Sequence, residues 1–315
     1  MSSSSTERSG SDSAGAIEAL RRSVVGRGRE IEVLLAALRS GRHILIEGPP
    51  GTGKSTLLRR LAEGTGSGFE FAEGTAELTP ARLVGYFDPA TVLTDGYSPE
   101  VFVDGPLLRA MRTGALLYIE EINRVPEETL NTLVTVMSER EIVVPRLGRV
   151  VAEPGFRLVA AMNPFDAVGT GRISGAVMDR VCRLTFDYQS AEEEAEIVAR
   201  VAAIASDQTL GAVVEMVRAT RTHPDLRSGS SVRGAIDTVL IAGELLGIRG
   251  GSGVPLDAAL AALSGRIRVR EGSGRTAEEV ITELWERHLA PRERSGSAAE
   301  DDPGKAIGRT GRPAG

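Results

Sequence analysis

Residues 42–62 read RHILIEGPPGTGKSTLLRRLA. The part from Gly48 to Ser55 has the spacing G-x-x-x-x-G-K-[ST], in which successive backbone N–H groups cradle phosphates and the lysine reaches their terminal oxygens. A glycine-rich turn that ends in a lysine by chance is the alternative interpretation. The flanks argue against it, because a short apolar strand precedes the loop and helical spacing follows it at 55–62. The stretch therefore predicts a nucleotide-binding P-loop.

Lysine is rare in this chain, which uses arginine for nearly all of its positive charge and has Lys54 as its single lysine before the C-terminal tail. A compact ammonium fits a phosphate loop better than a planar guanidinium does. Ser55 follows as a candidate Mg²⁺ ligand, and helix N-terminal capping is its alternative role. The predicted nucleotide-binding residues of the loop are Gly48, Pro49, Pro50, Gly51, Thr52, Gly53, Lys54, Ser55 and Thr56.

Composition bounds the remaining possibilities. The 315 residues suit one large or two modest domains, and 41% hydrophobic content is enough for a core. No apolar run is long enough to span a bilayer and no secretory signal is visible, so we expect a cytoplasmic protein with no membrane contact. The net charge of −6 makes nucleic acid a weaker expectation than protein for the partner. We expect the single cysteine, Cys182, to be a small core residue, and the three histidines are too scattered to suggest a zinc site.

Four regions follow from the patterning. Residues 1–15 and 291–315 are rich in Ser, Gly, Arg and Pro and are predicted to be disordered tails. Residues 16–187 alternate strands and helices, which predicts an α/β fold with a parallel sheet covered on both faces, an αβα sandwich. Residues 188–290 show helical patterns only, which predicts a small all-helical lid domain. The predicted elements are helices at 28–40, 55–62 and 126–138, strands at 69–71, 115–119 and 156–162, an amphipathic segment at 101–111, a hairpin at 141–152, and lid helices at 191–204, 207–222, 231–247, 255–267 and 276–289.

Polar side chains follow two of the predicted strands. Glu120 and Glu121 come directly after one strand, and Asn163 comes directly after the next. Ligands of open α/β sheets bind at the carboxyl ends of the strands, so one carboxylate is a candidate metal ligand and the other a candidate base for the attacking water. Asn163 is placed to orient that water or the terminal phosphate. In isolation the carboxylates read as solvated edge residues and Asn163-Pro164 as a turn.

A family resemblance combines these segments. Ser23-Val-Val-Gly-Arg27, the P-loop, Glu120-Glu-Ile-Asn-Arg124, Ala161-Met-Asn-Pro164 and Val177-Met-Asp-Arg180 occur in the order typical of AAA+ ATPases. Over residues 23–247 the chain resembles the MoxR branch, which is related to gas-vesicle GvpN, the CbbQ/NorQ activases, magnesium-chelatase ATPase subunits and dynein-type AAA modules. The resemblance implies ATP and Mg²⁺ as ligands, a ring that is a hexamer, and a client or adaptor protein, in this family often one with a von Willebrand factor A domain.

The resemblance also implies roles for individual residues. Val25 and Gly26 would contact the adenine, Asn163 would be sensor 1, and Glu121 would be the catalytic base. Arg180 matches the arginine that such proteins present to a neighbouring subunit's ATP, and Arg172 is the alternative candidate. A purely structural role for Arg180, at a helix end and paired with Asp179, is the other interpretation. Arg233, in Ser231-Val-Arg233-Gly, resembles sensor 2, although an exposed helix arginine fits the sequence nearly as well.

One departure affects the expected activity. The family usually has Asp-Glu where this chain has Glu120-Glu121, and the extra methylene is expected to place the metal-binding carboxylate about 1.5 Å further out. Slow hydrolysis is the expected consequence. Three functions therefore remain: a remodelling ATPase, a nucleotide-gated assembly protein with little hydrolysis, and a nucleic-acid motor suggested by Arg146 and Arg149 on the hairpin.

Overall fold

A parallel five-stranded sheet forms the centre of the first half of the chain. The computed structural model describes residues 15, 17–164, 173–205 and 207–290. Its strands are β1 (His43–Glu47), β2 (Phe69–Glu73), β5 (Leu116–Glu120), β8 (Arg157–Met162) and β9 (Val181–Thr185). The strand order across the sheet is β2-β5-β8-β1-β9, and every neighbouring pair is parallel.

The two faces of the sheet are covered by separate apolar clusters. On β1, Leu45 packs into one cluster while Ile44 and Ile46 pack into the other. Strand β5 alternates in the same way, with Leu117 and Ile119 against the first cluster. This period of two is what a strand dictates, and each fully buried Leu or Ile contributes about 1.5–3 kcal/mol. Both faces are therefore dry, as the αβα prediction requires.

Helices supply the two outer layers. Helices α2 and α3 contribute to one cluster and α6 and α7 to the other. The helices of this half are α1 (17–23), α2 (Gly28–Arg39), α3 (Lys54–Thr65), α4 (Pro80–Val84), α5 (Pro89–Asp95), α6 (Pro106–Thr113), α7 (Glu127–Glu139) and α8 (Gly175–Met178). The predicted hairpin is present as β6 (Glu141–Val144) paired with β7 (Gly148–Val151).

The C-terminal half is helical and has an apolar cluster of its own. Its helices are α9 (Ala191–Ala202), α10 (Gln208–Ala219), α11 (Val232–Arg249), α12 (Leu256–Leu263) and α13 (Ala277–His288). Helix α9 begins with the predicted capping box between Ser190 and Glu193. An antiparallel ribbon of β10 (Leu226–Ser228) and β11 (Arg268–Val269) is an addition to the predicted all-helical lid. We refer to residues 188–290 as the lid.

Three local features were not anticipated from the sequence. The amphipathic segment at 101–111 divides into a strand and a helix, because Phe102–Asp104 forms strand β4, which pairs with β3 (Gly85–Phe87), and Pro106 starts α6 afterwards. Cys182 is exposed on β9, where one edge of the sheet is open, so the expectation of a core cysteine is wrong. Strand β9 itself was not predicted. The domain limits at 187/188 and 290/291 stay predictions, and the proposed tails lie outside the described residues apart from residue 15.

Candidate nucleotide site

The P-loop connects β1 to α3 and places Lys54 at the first position of the helix. Gly51 and Gly53 have φ of +76° and +82°, the left-handed region that glycine tolerates best. Lys54 is buried, and its Nζ donates to the carbonyl oxygens of Gly48 at 3.0 Å and Pro49 at 2.8 Å. Burial lowers the pKa of Lys54 from its ordinary value, while Glu120 acts in the opposite direction. The ammonium is thus held inside the loop by two carbonyls that phosphate oxygens can replace.

The Ser55 hydroxyl contacts the carboxylate at the end of β5. Ser55 Oγ donates to Glu120, with Oε1 at 3.0 Å and Oε2 at 3.2 Å. The longer side chain of Glu120 therefore does not separate this carboxylate from the loop hydroxyl. Two oxygen donors side by side form a hard ligand set of the kind that Mg²⁺ prefers. Within the described residues no group of three or more His, Cys, Asp and Glu side chains could hold a metal, so an ion here would keep water or phosphate among its ligands.

Glu121 has a different environment from its neighbour. Its backbone is left-handed, with φ 53° and ψ 43°, which is uncommon for a residue other than glycine and is often associated with function. Its carboxylate forms an ion pair with Arg124, Oε2 to Nε at 3.1 Å. The sharp turn thus points two consecutive carboxylates to different partners, Ser55 for the first and Arg124 for the second.

A cleft of about 810 Å³ separates the P-loop from the lid. Asn163 lines it from the end of β8, and Arg233 lines it from the first turn of α11. The two sides are in contact, because a Cβ added to Gly51 would lie 2.2 Å from Ser231 Oγ and 3.8 Å from Arg233 Cδ. The sequence-predicted residues Asn163 and Arg233 thus share one cleft with the P-loop, although they are about 70 positions apart in the chain.

The predicted adenine-binding segment lies against the start of the lid. Gln189 Nε2 donates to the carbonyl oxygen of Val25 at 3.0 Å. Gly26 has φ +68°, and a Cβ there would lie 2.3 Å from Cδ of Glu193. A side chain at position 26 would therefore collide with the capping box of α9. Gln189 and Glu193 thus connect the predicted adenine-binding segment to the lid.

Comparisons with known proteins identify the family. The sequence profile of the AAA domain (dynein-related subfamily) matches residues 43–181. An uncharacterized protein from Staphylococcus aureus (strain USA300) is 31% identical over 183 residues, which are 58% of this chain and 69% of the relative. The chain belongs to the AAA family.

Other relatives extend the similarity beyond the AAA domain. The uncharacterized protein YeaC of Bacillus subtilis is 29% identical over 250 residues, 70% of this chain and 74% of YeaC. A solved structure of a candidate ATPase from Cytophaga hutchinsonii has a TM-score of 0.51 and 21% identity, and the match covers 88% of this chain and 94% of that one. At that identity the match shows the fold alone, an AAA fold with a helical C-terminal region.

Arg180 of the AAA domain is directed to a different part of the surface. Its Nη1 donates to the carbonyl oxygen of Ala176 at 2.8 Å, and its Nε donates to Ser138 Oγ at the end of α7. Among the described residues, Arg180 does not line the cleft. Arg172, the alternative arginine, lies outside the described residues.

Arg27 is a residue of the site whose role the sequence analysis missed. It is only 4% exposed, and its Nη2 donates to the carbonyl oxygens of Thr52 in the P-loop, at 3.1 Å, and Asp187 before the lid, at 2.7 Å. Its guanidinium also stacks on the Phe186 ring, 4.9 Å from the centroid, and pairs with Glu30. Arg27 therefore connects the P-loop to the chain segment that leads into the lid. The only sequence signal was its place in Val-Val-Gly-Arg.

Proposed function

We propose that this AAA protein binds ATP with Mg²⁺, hydrolyses it in a ring of identical subunits, and uses the cycle to remodel or activate a partner protein, as the MoxR branch does. The observation that carries the proposal is the contact between Ser55 and Glu120 beside the buried Lys54. An ammonium, a hydroxyl and a carboxylate at the mouth of a P-loop are the groups that phosphoryl transfer uses.

Each residue of the cleft then has a defined task. Lys54 would exchange its two carbonyl partners for phosphate oxygens, and Ser55 with Glu120 would hold the Mg²⁺. The metal would supply charge neutralisation for the phosphoryl group. Glu121 accepts the proton of the attacking water once it leaves Arg124, and Asn163 orients that water. Arg233 contacts the phosphates from the lid.

A shared site explains the placement of Arg180. Because Arg180 does not line its own cleft, we propose that it acts on the ATP of a neighbouring subunit, where a trans arginine stabilises the charge of the transition state. A closed ring gives every subunit such a neighbour. A hexamer is the size that the MoxR resemblance favours.

The partner surface is proposed to lie on the segment from α4 to β4 together with the β6–β7 hairpin. Exposed apolar side chains are frequent here: Tyr86, Leu93, Tyr97, Val103 and Val143. The two parts touch, because the Arg146 guanidinium stacks on the Tyr97 ring, 3.6 Å from its centroid. Large apolar side chains on a surface of this kind are typical of protein contacts. A client or adaptor with a von Willebrand factor A domain is the family-based candidate.

The hairpin arginines bear on the possibility of a nucleic-acid motor. Arg149 pairs with Glu141 and Arg146 stacks on Tyr97, so both hairpin arginines already have partners within the chain, and the nucleic-acid motor gains no support.

None of the helices in the described residues is long and apolar enough to cross a membrane. We propose a cytoplasmic location.

A nucleotide-gated assembly protein with little hydrolysis is the second candidate. The ion pair between Glu121 and Arg124 favours it, since a base engaged with a cation is not free to accept a proton. Steady-state turnover separates the two candidates. A kcat of about 1 s⁻¹ or more, within the usual range for enzymes, excludes the second.

Nucleotide binding itself is tested with Lys54→Ala. We expect fluorescent ATP analogues to bind the wild type and to lose most of their affinity for Lys54→Ala. Arg60→Ala is the matched control, since Arg60 carries the same charge on the same helix, is exposed, and pairs with Glu63. Equal binding by Lys54→Ala and the wild type would contradict the proposed site.

The partner is tested with Glu121→Gln, which should trap the ATP state. Proteins captured with this variant are compared with those captured by Glu121→Gln carrying Leu93→Ser and Tyr97→Ser. A partner that uses the proposed surface is retained only by the first protein. Equal retention by both places the partner elsewhere.

A further inference from the structure

Tyr118 is a buried tyrosine in the middle of the apolar strand β5. It is 0% exposed, and its ring lies near Phe69 and Phe71 of β2, with centroids 6.1 Å and 5.8 Å away. Phe71 is its direct cross-strand neighbour. A phenylalanine would fill the same space without burying a hydroxyl group. A buried hydroxyl destabilises the fold unless it forms a hydrogen bond.

The hydroxyl of Tyr118 is directed at the proposed metal ligands. Tyr118 Oη lies 3.3 Å from Ser55 Oγ, and Ser55 in turn donates to Glu120 at 3.0 Å. Tyr118 and Glu120 are two positions apart on one strand, so their side chains leave the same face of the sheet. The oxygen atoms of Tyr118, Ser55 and Glu120 therefore lie within hydrogen-bonding distance in sequence, Tyr118 to Ser55 and Ser55 to Glu120.

The direction of these hydrogen bonds follows from counting protons. A serine hydroxyl has one proton and two lone pairs, and the Ser55 proton is donated to the Glu120 carboxylate. The Tyr118 hydroxyl must then be the donor to Ser55. One bond uses the serine proton and one uses a lone pair, so a single lone pair of Ser55 remains.

We infer that Tyr118 is a positioning residue for the metal site, which fixes the Ser55 hydroxyl so that its remaining lone pair is offered to Mg²⁺. The inference rests on the proposed nucleotide site and adds a residue to it. Without the Tyr118 donor, Glu120 is the only one of these two partners left to orient the Ser55 hydroxyl, and its two oxygens, at 3.0 Å and 3.2 Å, allow the hydroxyl to rotate between them. Groups that orient a metal ligand in this way typically contribute about 10–100-fold to metal affinity or activity.

The test replaces Tyr118 by phenylalanine, which removes one oxygen atom. Dissociation constants for a fluorescent ADP are measured with excess Mg²⁺ and with EDTA, and the ratio of the two constants is the magnesium gain. We expect Tyr118→Phe to bind ADP in EDTA as the wild type does, because Lys54 and the loop amides are unchanged, and to lose about tenfold of the magnesium gain. Mn²⁺ retention, followed by electron paramagnetic resonance with ADP present, should weaken in parallel. Tyr86→Phe, at a 53% exposed tyrosine, is the matched control.

A double variant shows whether Tyr118 acts through Ser55. Ser55→Ala removes the acceptor, so adding Tyr118→Phe to it should cause no further loss of magnesium gain. Thermal unfolding in EDTA verifies that each variant is folded. An unchanged magnesium gain in Tyr118→Phe overturns the inference, and so does an equal loss of affinity with and without metal, which a purely structural role would cause. Additive losses in the double variant also overturn it. If the wild type itself binds no nucleotide, the proposed function fails instead, before Tyr118 is tested.

Discussion

Glu121 Oε2 lies 3.1 Å from Nε of Arg124, one turn further along the chain. The carboxylate proposed to activate water is therefore engaged by a cation of its own segment. Both side chains are more than a third exposed, and ion pairs of that kind contribute about 0–1 kcal/mol. The pair is weak enough to open during each turnover and strong enough to reduce the fraction of time in which Glu121 is free.

Arg124→Met tests this restraint. The methionine keeps much of the side-chain volume but removes the charge, so we expect kcat to rise by up to about fivefold, the equivalent of 1 kcal/mol, with nucleotide affinity unchanged. Phosphate release at saturating Mg²⁺-ATP measures it, and Arg60→Met on α3 is the control. A drop in kcat would mean that Arg124 assists the reaction rather than restraining Glu121.

Arg27→Met tests the connection between the P-loop and the lid. Two charge-assisted hydrogen bonds to backbone carbonyls are lost, each worth about 1.5–3 kcal/mol, so we expect the free energy of unfolding to fall by about 3 kcal/mol or more. Nucleotide affinity should fall as well, because the Thr52 carbonyl loses the donor that holds it. Arg27→Lys should recover only part of both, since one ammonium lacks the planar fork of a guanidinium. Urea denaturation measures stability, and Arg29→Met, at an exposed arginine in the first turn of α2, is the control. Equal stability of the Arg27 and Arg29 variants would contradict this role.

The sequence predicted what depends on local pattern. The loop at Lys54, the strand ends at Glu120 and Asn163, and the capping box at Ser190 each combine a fixed spacing with apolar periodicity, and each is present. Strand β9 was not predicted because it lies at an edge of the sheet, where it pairs on one side only. Its exposed positions include Arg183 and Thr185, which interrupt the apolar run that marks the other strands. The short ribbon of β10 and β11 joins residues about 40 positions apart, a pairing that no local pattern reveals.

Residue partners were the least predictable feature. Tyr118 reads as one more apolar residue of a buried strand, and only the fold shows its hydroxyl beside Ser55. The outward displacement of the Glu120 carboxylate stays a prediction, and the contact of that carboxylate with Ser55 could not be read from the sequence for the same reason. Side-chain length was known, but the position of Ser55 relative to the strand end was not.

His43 predicts a loss of stability in mild acid. Burial, followed by the nearby charges of Arg157 and Arg140, lowers the pKa of His43 to about 4. Its Nδ1 accepts a hydrogen bond from the backbone N–H of Leu158 at 2.9 Å, which requires the unprotonated nitrogen. An unfolded chain would take up this proton near pH 6.5, so the unfolded state binds more protons between pH 6.5 and about 4. The contribution of His43 to the free energy of unfolding is therefore fully present above pH 6.5. It is lost as the pH decreases, which lowers the free energy of unfolding by up to about 3 kcal/mol at pH 4.

Urea denaturation at intervals between pH 7 and pH 4.5 measures this dependence. His43→Asn keeps an acceptor without a titrating ring and should give a flatter pH profile than the wild type. Burial also lowers the pKa of His288, though less strongly, and His288→Asn serves as the comparison. Parallel profiles for the wild type and His43→Asn would show that His43 does not titrate as described.

Mixed rings test whether Arg180 serves a neighbouring site. Arg180 donates to Ser138 and Ala176 and does not line its own cleft, so Arg180→Ala should bind ATP as the wild type does and lose most of its turnover. A trans arginine contributes about 10³-fold or more where its effect has been measured. Lys54→Ala should fail to bind ATP but keeps Arg180. When the two proteins are mixed, an intact site on an Arg180→Ala subunit next to a Lys54→Ala subunit receives the missing arginine, so phosphate release should exceed the sum of the separate rates. Full activity of Arg180→Ala alone rules out the shared site. If both variants are inactive and activity does not recover although mixed rings are shown to form, Arg180 acts within its own subunit.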